Sequence, residues 1–303
     1  MKSDVPPLNI AQLNQRLNEI SGDLGIPVAR IRRMLCTLVV SQMLPDAVVI
    51  KGGMGVKLRM GESGTRATAD LDVSTEYRGE QFEEAFESAL RAGWGIVPAA
   101  KGVLRRDPHA PDRVAFTAEL KRRPVHDPGL GRPQYVMRPY RVSLFFLGKP
   151  WAGLDVEVSD SEIEPAAHAP ARVDDELAEL NDSFGFGVLR PVEMISLEYQ
   201  IAQKLHAVTD PAYGRAHDLV DLQLLWSVGV QLSALRELCV RTFRFRREQE
   251  WPPLPLRAMD SWKLAYEQAR EETSIGGESL VLPDVDAARE WLHRIIHSID
   301  QAG

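Results

Sequence analysis

Apolar positions change their rhythm along the chain. Residues 8–44 repeat them at helical spacing with a break at Gly25-Ile26-Pro27, which predicts two helices, the second with a stripe of Ile31, Leu35, Leu38 and Val39. Pro45 closes that stretch. Ala47-Val48-Val49-Ile50 is a short apolar strand running into Lys51-Gly52-Gly53, a helix is expected to begin within 54–60, and Gly61–Gly64 is loop. Asp70-Leu71-Asp72-Val73 alternates polar and apolar, as a half-buried strand does. Phe82, Phe86 and Leu90 make 80–91 an amphipathic helix, and strands are expected over 114–120, 135–147 and 153–158. The segments 105–113 and 121–133, rich in Pro, Gly, Arg and Asp, are expected to be loops. From 191 onward the pattern is helical, over 191–208, 215–227, 232–243, 258–271 and 284–300, and no internal repeat occurs. This predicts an α/β half, 1–180, followed by a helical half, 181–303.

Composition agrees with a two-domain folded protein: 303 residues, 44% hydrophobic and 26% charged. The two cysteines, Cys36 and Cys239, stand far apart without a cysteine or histidine cluster, so neither a disulfide framework nor a zinc knuckle is expected. The polar N-terminus has no secretory core and no apolar run is long enough to span a membrane, so a cytoplasmic protein is expected. A net charge of −7 argues against a chain that coats itself in nucleic acid. Its distribution is uneven, however. Residues 101–150 hold eleven Lys/Arg against four Asp/Glu, whereas 151–200 hold two against twelve. A second basic stretch, Arg241–Arg247, alternates arginine with phenylalanine. Each block by itself reads as a solvated face; together they allow a polyanion to approach one side.

Three segments carry candidate chemistry. The first is the strand that ends in Gly52-Gly53, where backbone can approach a ligand closely and amides can face phosphate. The second is Asp70-Leu71-Asp72: two carboxylates one residue apart on a strand share a face and can hold one or two Mg²⁺ ions that bridge to phosphate oxygens. Alone, each of these segments is more often a plain turn or a solvated strand edge. A third carboxylate could come from Asp155 or Glu157, which share a face of another strand. The third segment is Glu198–Val208 followed by Arg215–Leu225. Lys204 lies beside the apolar stripe of the first helix, so it either snorkels to water or enters a cleft and binds phosphate. Arg215, Asp218 and Asp221 recur on one side of the second helix, the spacing of an ion-pair ladder or of a site.

Lys51-Gly52-Gly53, Arg66-Ala67-Thr68-Ala69-Asp70-Leu71-Asp72, and the Ile201–His206 and Arg215–Leu222 runs together resemble the AbiEii/AbiGii-type nucleotidyltransferase toxins of type IV-like toxin–antitoxin systems, and most of all the MenT toxins of mycobacteria. The resemblance covers roughly residues 28–300. It implies an α/β, DNA-polymerase-β-like nucleotidyltransferase domain with a helical C-terminal domain. It also implies Mg²⁺, or Mn²⁺ in its place, on Asp70 and Asp72, with Glu157 fitting the third position better than Asp155. Lys51, Gly52, Gly53, Arg66, Lys204 and Asp218 would contact the nucleotide, and Lys204 and Asp221 would join the aspartate pair in catalysis. The toxins it resembles add nucleotides to the acceptor 3′ end of tRNA and are silenced by a cognate antitoxin, in some systems through phosphorylation beside the metal-binding aspartates, where Thr68 stands. The sixteen residues between Gly53 and Asp70 exceed the interval in minimal motifs of this kind and predict an enlarged loop.

The expectation is therefore an Mg-dependent enzyme that moves NMP from an NTP to a tRNA 3′ end, with tRNA, NTP and antitoxin as partners and no membrane. Lys121, Arg122 and Arg123, with Arg105, Arg106, Arg244, Arg246 and Arg247, are the candidate phosphate contacts. Two rivals stand beside it: transfer to a protein or small-molecule hydroxyl, and a non-catalytic binding module of the same fold.

Overall fold

The computed structural model describes residues 5–99, 107, 109–124, 137–163, 168–171, 173–210, 214–247, 249–256, 261–273 and 280–303. The chain forms two compact units. One comprises Met1–Ile50, Ala69–Asp160 and Pro170–Glu193; the other comprises Lys51–Thr68, Ser161–Ala169 and Met194–Gly303.

In the first unit, helices α1 (Ile10–Leu24) and α2 (Val28–Ser41) begin where Asn9 accepts from the Gln12 N–H and where Pro27 sets the entry. Gly25, at φ 65°, closes α1. The stripe of α2 is fully buried, and Met34, Cys36, Thr37 and Val40 are buried as well, so this helix is enclosed on nearly every side. The strands are β1 (Val48–Ile50), β2 (Asp70–Thr75), β3 (Trp94–Val97), β4 (Arg113–Arg122), β5 (Arg138–Phe146) and β6 (Lys149–Asp160). Helix α4 (Gln81–Ala92) buries Phe82, Phe86 and Leu90 completely. Strand β2 runs parallel to β6 and antiparallel to β1, while β3, β4, β5 and β6 are antiparallel neighbours. Strands β7 (His168–Ala171) and β8 (Val192–Ile195) complete a sheet of order β3-β4-β5-β6-β2-β1-β8-β7. Along β5 and β6 the even-numbered residues from Tyr140 to Phe146 and from Leu154 to Val158 are buried, leaving the odd-numbered ones on the other face partly open. Phe116, Phe146 and Phe186 anchor this core, with ring centroids 4.8 Å apart for Phe116 and Phe186.

The second unit holds α3 (Gly52–Met60), α6 (Leu197–Thr209), α7 (Ala216–Ser227), α8 (Leu232–Arg246), α9 (Ser261–Glu272) and α10 (Val285–Asp300), packed around Leu205, Leu219, Leu222, Cys239, Tyr266 and Leu292. Gln200 clips α3 to α6: its amide donates to the Gly52 carbonyl at 2.9 Å and accepts from Arg59 Nε at 3.1 Å.

Several details differ from the sequence expectation: β4 runs on to Arg122, into a segment expected to be loop, α3 begins already at Gly52, and β7 was not expected. The helix expected over 191–208 is strand β8 followed by α6; Val192 and Ile195 favour a strand, and Ser196 caps α6 by accepting from the Tyr199 N–H. Helix α5 (Asp175–Asp182), capped by Asp174 and with acids in its first turn, was not expected, nor was the short β3. Both cysteines are buried and free, and burial pushes the Cys36 thiol up to about 12.

Candidate nucleotidyltransferase site

The carboxylates of the first unit lie on the parallel pair β2 and β6. Asp70 is in register with Asp155, and Asp72 with Glu157, so all four occupy one face of two adjacent strands. Their intervening partners, Leu71 and Val156, are fully buried on the opposite face. Burial, and then the negative charge of Asp155, push the Asp70 carboxyl above its ordinary range, while Arg33 and Arg123 push it back. Asp155 itself is held by two arginines, Arg141 at 3.0 Å and Arg123 at 3.2 Å. Of the two candidates for a third carboxylate, Asp155 is thus committed to arginine, and Glu157 stands beside Asp72. Among the described residues, no three His, Cys, Asp or Glu side chains are gathered into a ready metal cage.

In the second unit, the β1–α3 turn explains both glycines differently. Gly52 has φ 64°, the left-handed region that a side chain disfavours. Gly53 instead leaves room for its own chain: a Cβ there would lie 2.7 Å from Thr68 Oγ1 and 3.2 Å from an Arg66 guanidinium nitrogen. Lys51, at the N-cap of α3, is buried and provides no side-chain cap, and its charge acts on the half-buried Glu162.

Behind that turn sits a buried ion network. Lys204 Nζ donates to Asp218 Oδ1 at 2.8 Å and to Asp221 Oδ2 at 2.7 Å. Arg66 grips both oxygens of Asp221 at 2.9 Å each. Asp221 is 1% exposed and Lys204 7%. Burial alone would raise the Asp221 pKa; Lys204 and Arg66 outweigh it and hold the carboxyl at about 2. The same carboxylates keep Lys204 above its ordinary value against the pull of burial. Lys204 therefore does not snorkel, because α6 is buried on almost every side, and Asp218 pairs with another helix more closely than with Arg215, which lies 3.7 Å away. Glu272, at the end of α9, accepts from the Ala67 N–H at 2.7 Å and so ties down the segment between the two motifs.

The expected basic contacts divide. Arg246 is committed to Glu162 at 2.8 Å, a carboxylate that also accepts from Tyr199 and Gln203, so this arginine is not open to an incoming polyanion. Phe243 is core, and Phe245 is 39% exposed. Arg244 and Arg247 are exposed, whereas Arg105 and Arg106 lie outside the described residues. Glu162 and Glu272 escape sequence reasoning because each lies outside any motif.

Among solved structures, MenT4, a nucleotidyltransferase toxin from Mycobacterium tuberculosis H37Rv, aligns with a TM-score of 0.50 at 18% identity, covering 98% of this chain and 98% of that one. JHP933 from Helicobacter pylori aligns with a TM-score of 0.39 at 14% identity, covering 89% of this chain and 95% of that one. At such identities the MenT4 likeness concerns the fold alone. No curated protein matches the sequence. The profile of the nucleotidyl transferase AbiEii toxins of type IV toxin–antitoxin systems matches residues 33–291, a span that holds the glycine turn, the paired aspartates and the buried lysine network. On that match over most of its length, the chain belongs to the AbiEii nucleotidyltransferase toxin family.

Proposed function

We propose that the protein transfers a nucleoside monophosphate from an NTP to the 3′-hydroxyl of a tRNA acceptor end, which blocks aminoacylation and so translation. Its family already makes it a nucleotidyltransferase toxin with an NTP substrate and an antitoxin partner. The observation that carries the finer reading is the one face of β2 and β6 shared by Asp70, Asp72 and Glu157, beside Arg141 on β5 and Lys121 on β4. A tRNA substrate also places the protein in the cytoplasm.

The residues suit Mg²⁺. Hard carboxylate oxygens are its ligands, and the raised Asp70 pKa marks a carboxylate that a neighbouring cation would relieve. Asp70 and Asp72 would hold the ion, with Glu157 beside them, and nucleotide phosphates and water would complete its shell. The metal supplies charge neutralisation on the triphosphate and the leaving pyrophosphate. Lys204 and Arg66 act as phosphate donors. Lys204 has three N–H donors and gives two to Asp218 and Asp221, leaving one; Arg66 keeps the donors that Asp221 and the Ala67 carbonyl do not take. Asp221 is then a positioning group that fixes both cations, and Asp218 shares the load on Lys204. Thr68 lies against Gly53, beside Arg66. A phosphoryl group there adds about −1.5 to −2 charge and competes with Asp221 for Arg66. Phosphorylation at Thr68 is thus a route to inactivation, and an active, stoichiometrically phosphorylated protein would dispose of it.

The test is incubation of the purified protein with total tRNA, Mg²⁺ and each labelled NTP in turn. Label should appear at the tRNA 3′ end and vanish in Asp70→Asn and Asp72→Asn without loss of fold. Label on a protein or small molecule instead would favour the rival enzyme, and no transfer from any NTP would favour the binding module.

A further inference from the structure

The basic triplet Lys121-Arg122-Arg123 is divided by its strand. Arg122 pairs in register with the buried Tyr140 and faces α4, where Glu83 lies 3.7 Å from its guanidinium and also accepts from the Tyr140 hydroxyl at 2.8 Å. Lys121 is in register with Arg141, on the opposite face. Arg123 continues the pairing, its N–H donating to the Pro139 carbonyl at 2.9 Å, and its side chain returns to the Lys121 face to reach Asp155. Period-two alternation on β4 thus sends one of three consecutive cations away from the other two.

The register then carries this face directly to the aspartate pair. Lys121 stands opposite Arg141, Arg141 opposite Asp155, and Asp155 opposite Asp70, one row across β4, β5, β6 and β2. At the usual strand spacing the row spans about 14 Å. Its cations are not consumed by the acid they flank. Asp155 is one carboxylate shared by two arginines, and Lys121 adds a third positive charge beside them. The Arg123 side chain is 49% exposed and that of Arg141 37%, so both remain partly open to solvent. The position of Arg141 is built in: a Cβ on Gly153 would come within 2.5 Å of its guanidinium, so this glycine is the seat on which the arginine lies. A planar guanidinium packed over Gly153 on a sheet, its side chain partly open to solvent, is suited to phosphate oxygens.

We propose that Lys121, Arg123 and Arg141 hold phosphodiester groups of the acceptor RNA on this sheet face and lead its 3′ end toward Asp70 and Asp72, whereas Arg122 takes no part. The inference rests on the reading that the acceptor is RNA. Phosphate could also belong to the triphosphate of the NTP, so the two ligands are measured separately.

The test compares Lys121→Gln, Arg123→Gln and Arg141→Gln with Arg122→Gln, which removes the same charge one residue away. Binding of tRNA is measured without NTP over a range of salt, and ATP, GTP, CTP and UTP binding without tRNA. Each of the first three variants should weaken tRNA binding several-fold and flatten its log–log salt dependence by about 0.7–0.9. Arg122→Gln should change neither by more than about 0.2 in slope, because a general field effect would touch all four alike. Thermal melts show whether Arg141→Gln, which releases Asp155, still folds; Lys121→Gln and Arg123→Gln lie on the exposed end of the strand and decide the matter if it does not. Equal losses in all four variants, or wild-type tRNA binding in Lys121→Gln and Arg123→Gln, overturn the inference while leaving tRNA as the substrate. Loss of NTP binding with tRNA binding intact assigns these cations to the triphosphate and also overturns it. Wild-type protein that neither binds nor labels tRNA removes the underlying reading as well.

Discussion

Asp221 shows how much a single residue's role depends on its surroundings. Both of its oxygens are taken by cations from other segments, Lys204 and Arg66, in a site almost closed to water. Breaking such a pair strands the remaining charge, which costs more than the pair itself contributes. Lys204→Met should therefore lower stability by about 3–5 kcal/mol, in addition to removing the proposed phosphate donor. A fall in activity of that variant alone would not separate the two effects. The double variant Lys204→Met/Asp221→Asn should be less destabilised than the sum of the single variants, with a coupling of about 1–3 kcal/mol in urea titrations. Strict additivity would show that the two groups do not act as a unit. Lys204→Arg should retain more stability than Lys204→Met, since the buried acids keep a cation.

At the scale of elements, the β1–α3 turn and the 66–68 segment are built around each other. Gly53→Ala gains helix propensity but drives a methyl group against Thr68 Oγ1, which lies 2.7 Å from the ideal Cβ position. Stability should change little, because a hydroxyl can shift, while Arg66 is displaced and NTP affinity falls several-fold. Adding Thr68→Ala removes the closest obstructing atom, leaves only the 3.2 Å approach to Arg66, and should restore most of that affinity. Gly52→Ala differs in kind: its φ of 64° imposes a backbone strain of about 1–2 kcal/mol that no change at Thr68 relieves. Rescue of Gly52→Ala by Thr68→Ala, or its failure for Gly53→Ala, would refute this division of labour. Denaturant titrations and NTP binding read the two quantities separately.

For the molecule as a whole, the buried imidazole of His206 links stability to pH. It is 2% exposed, its edge lies against Phe243 with ring centroids 4.9 Å apart, and its Nε2 has no hydrogen-bond partner among the described residues. Burial, and then the charge of Arg246, lower its pKa from 6.5 to about 4. The unfolded chain thus binds a proton that the folded chain refuses as pH falls through that window. The sign follows: the contribution is complete above 6.5, declines toward 4 and is flat below. His217 and His293 are shifted down as well, so wild-type stability should fall on acidification over this range. His206→Leu should reduce the slope near pH 5 by about 1.4 kcal/mol per pH unit. An unchanged slope in urea titrations at several pH values would show that His206 is not protected.

What the sequence determined is what depends on neighbours in the chain. Apolar periodicity locates α2, α4 and β4–β6, since burial of one face imposes a period of 3.6 or 2. The glycine pair and the two aspartates are legible because each needs only its own strand or turn. Short elements such as β3, α5 and β8 escaped, having too few residues to establish a period. Only the tertiary structure decided which charges meet. It withdrew Arg246 behind Glu162, joined Lys204 to Asp218 and Asp221, and anchored Ala67 to a carboxylate 205 residues away. It committed Asp155 to two arginines through the register of β5 on β6 and turned Arg122 from its neighbours. Ion pairing depends on distance and desolvation between segments remote in sequence, and no local period encodes either of these.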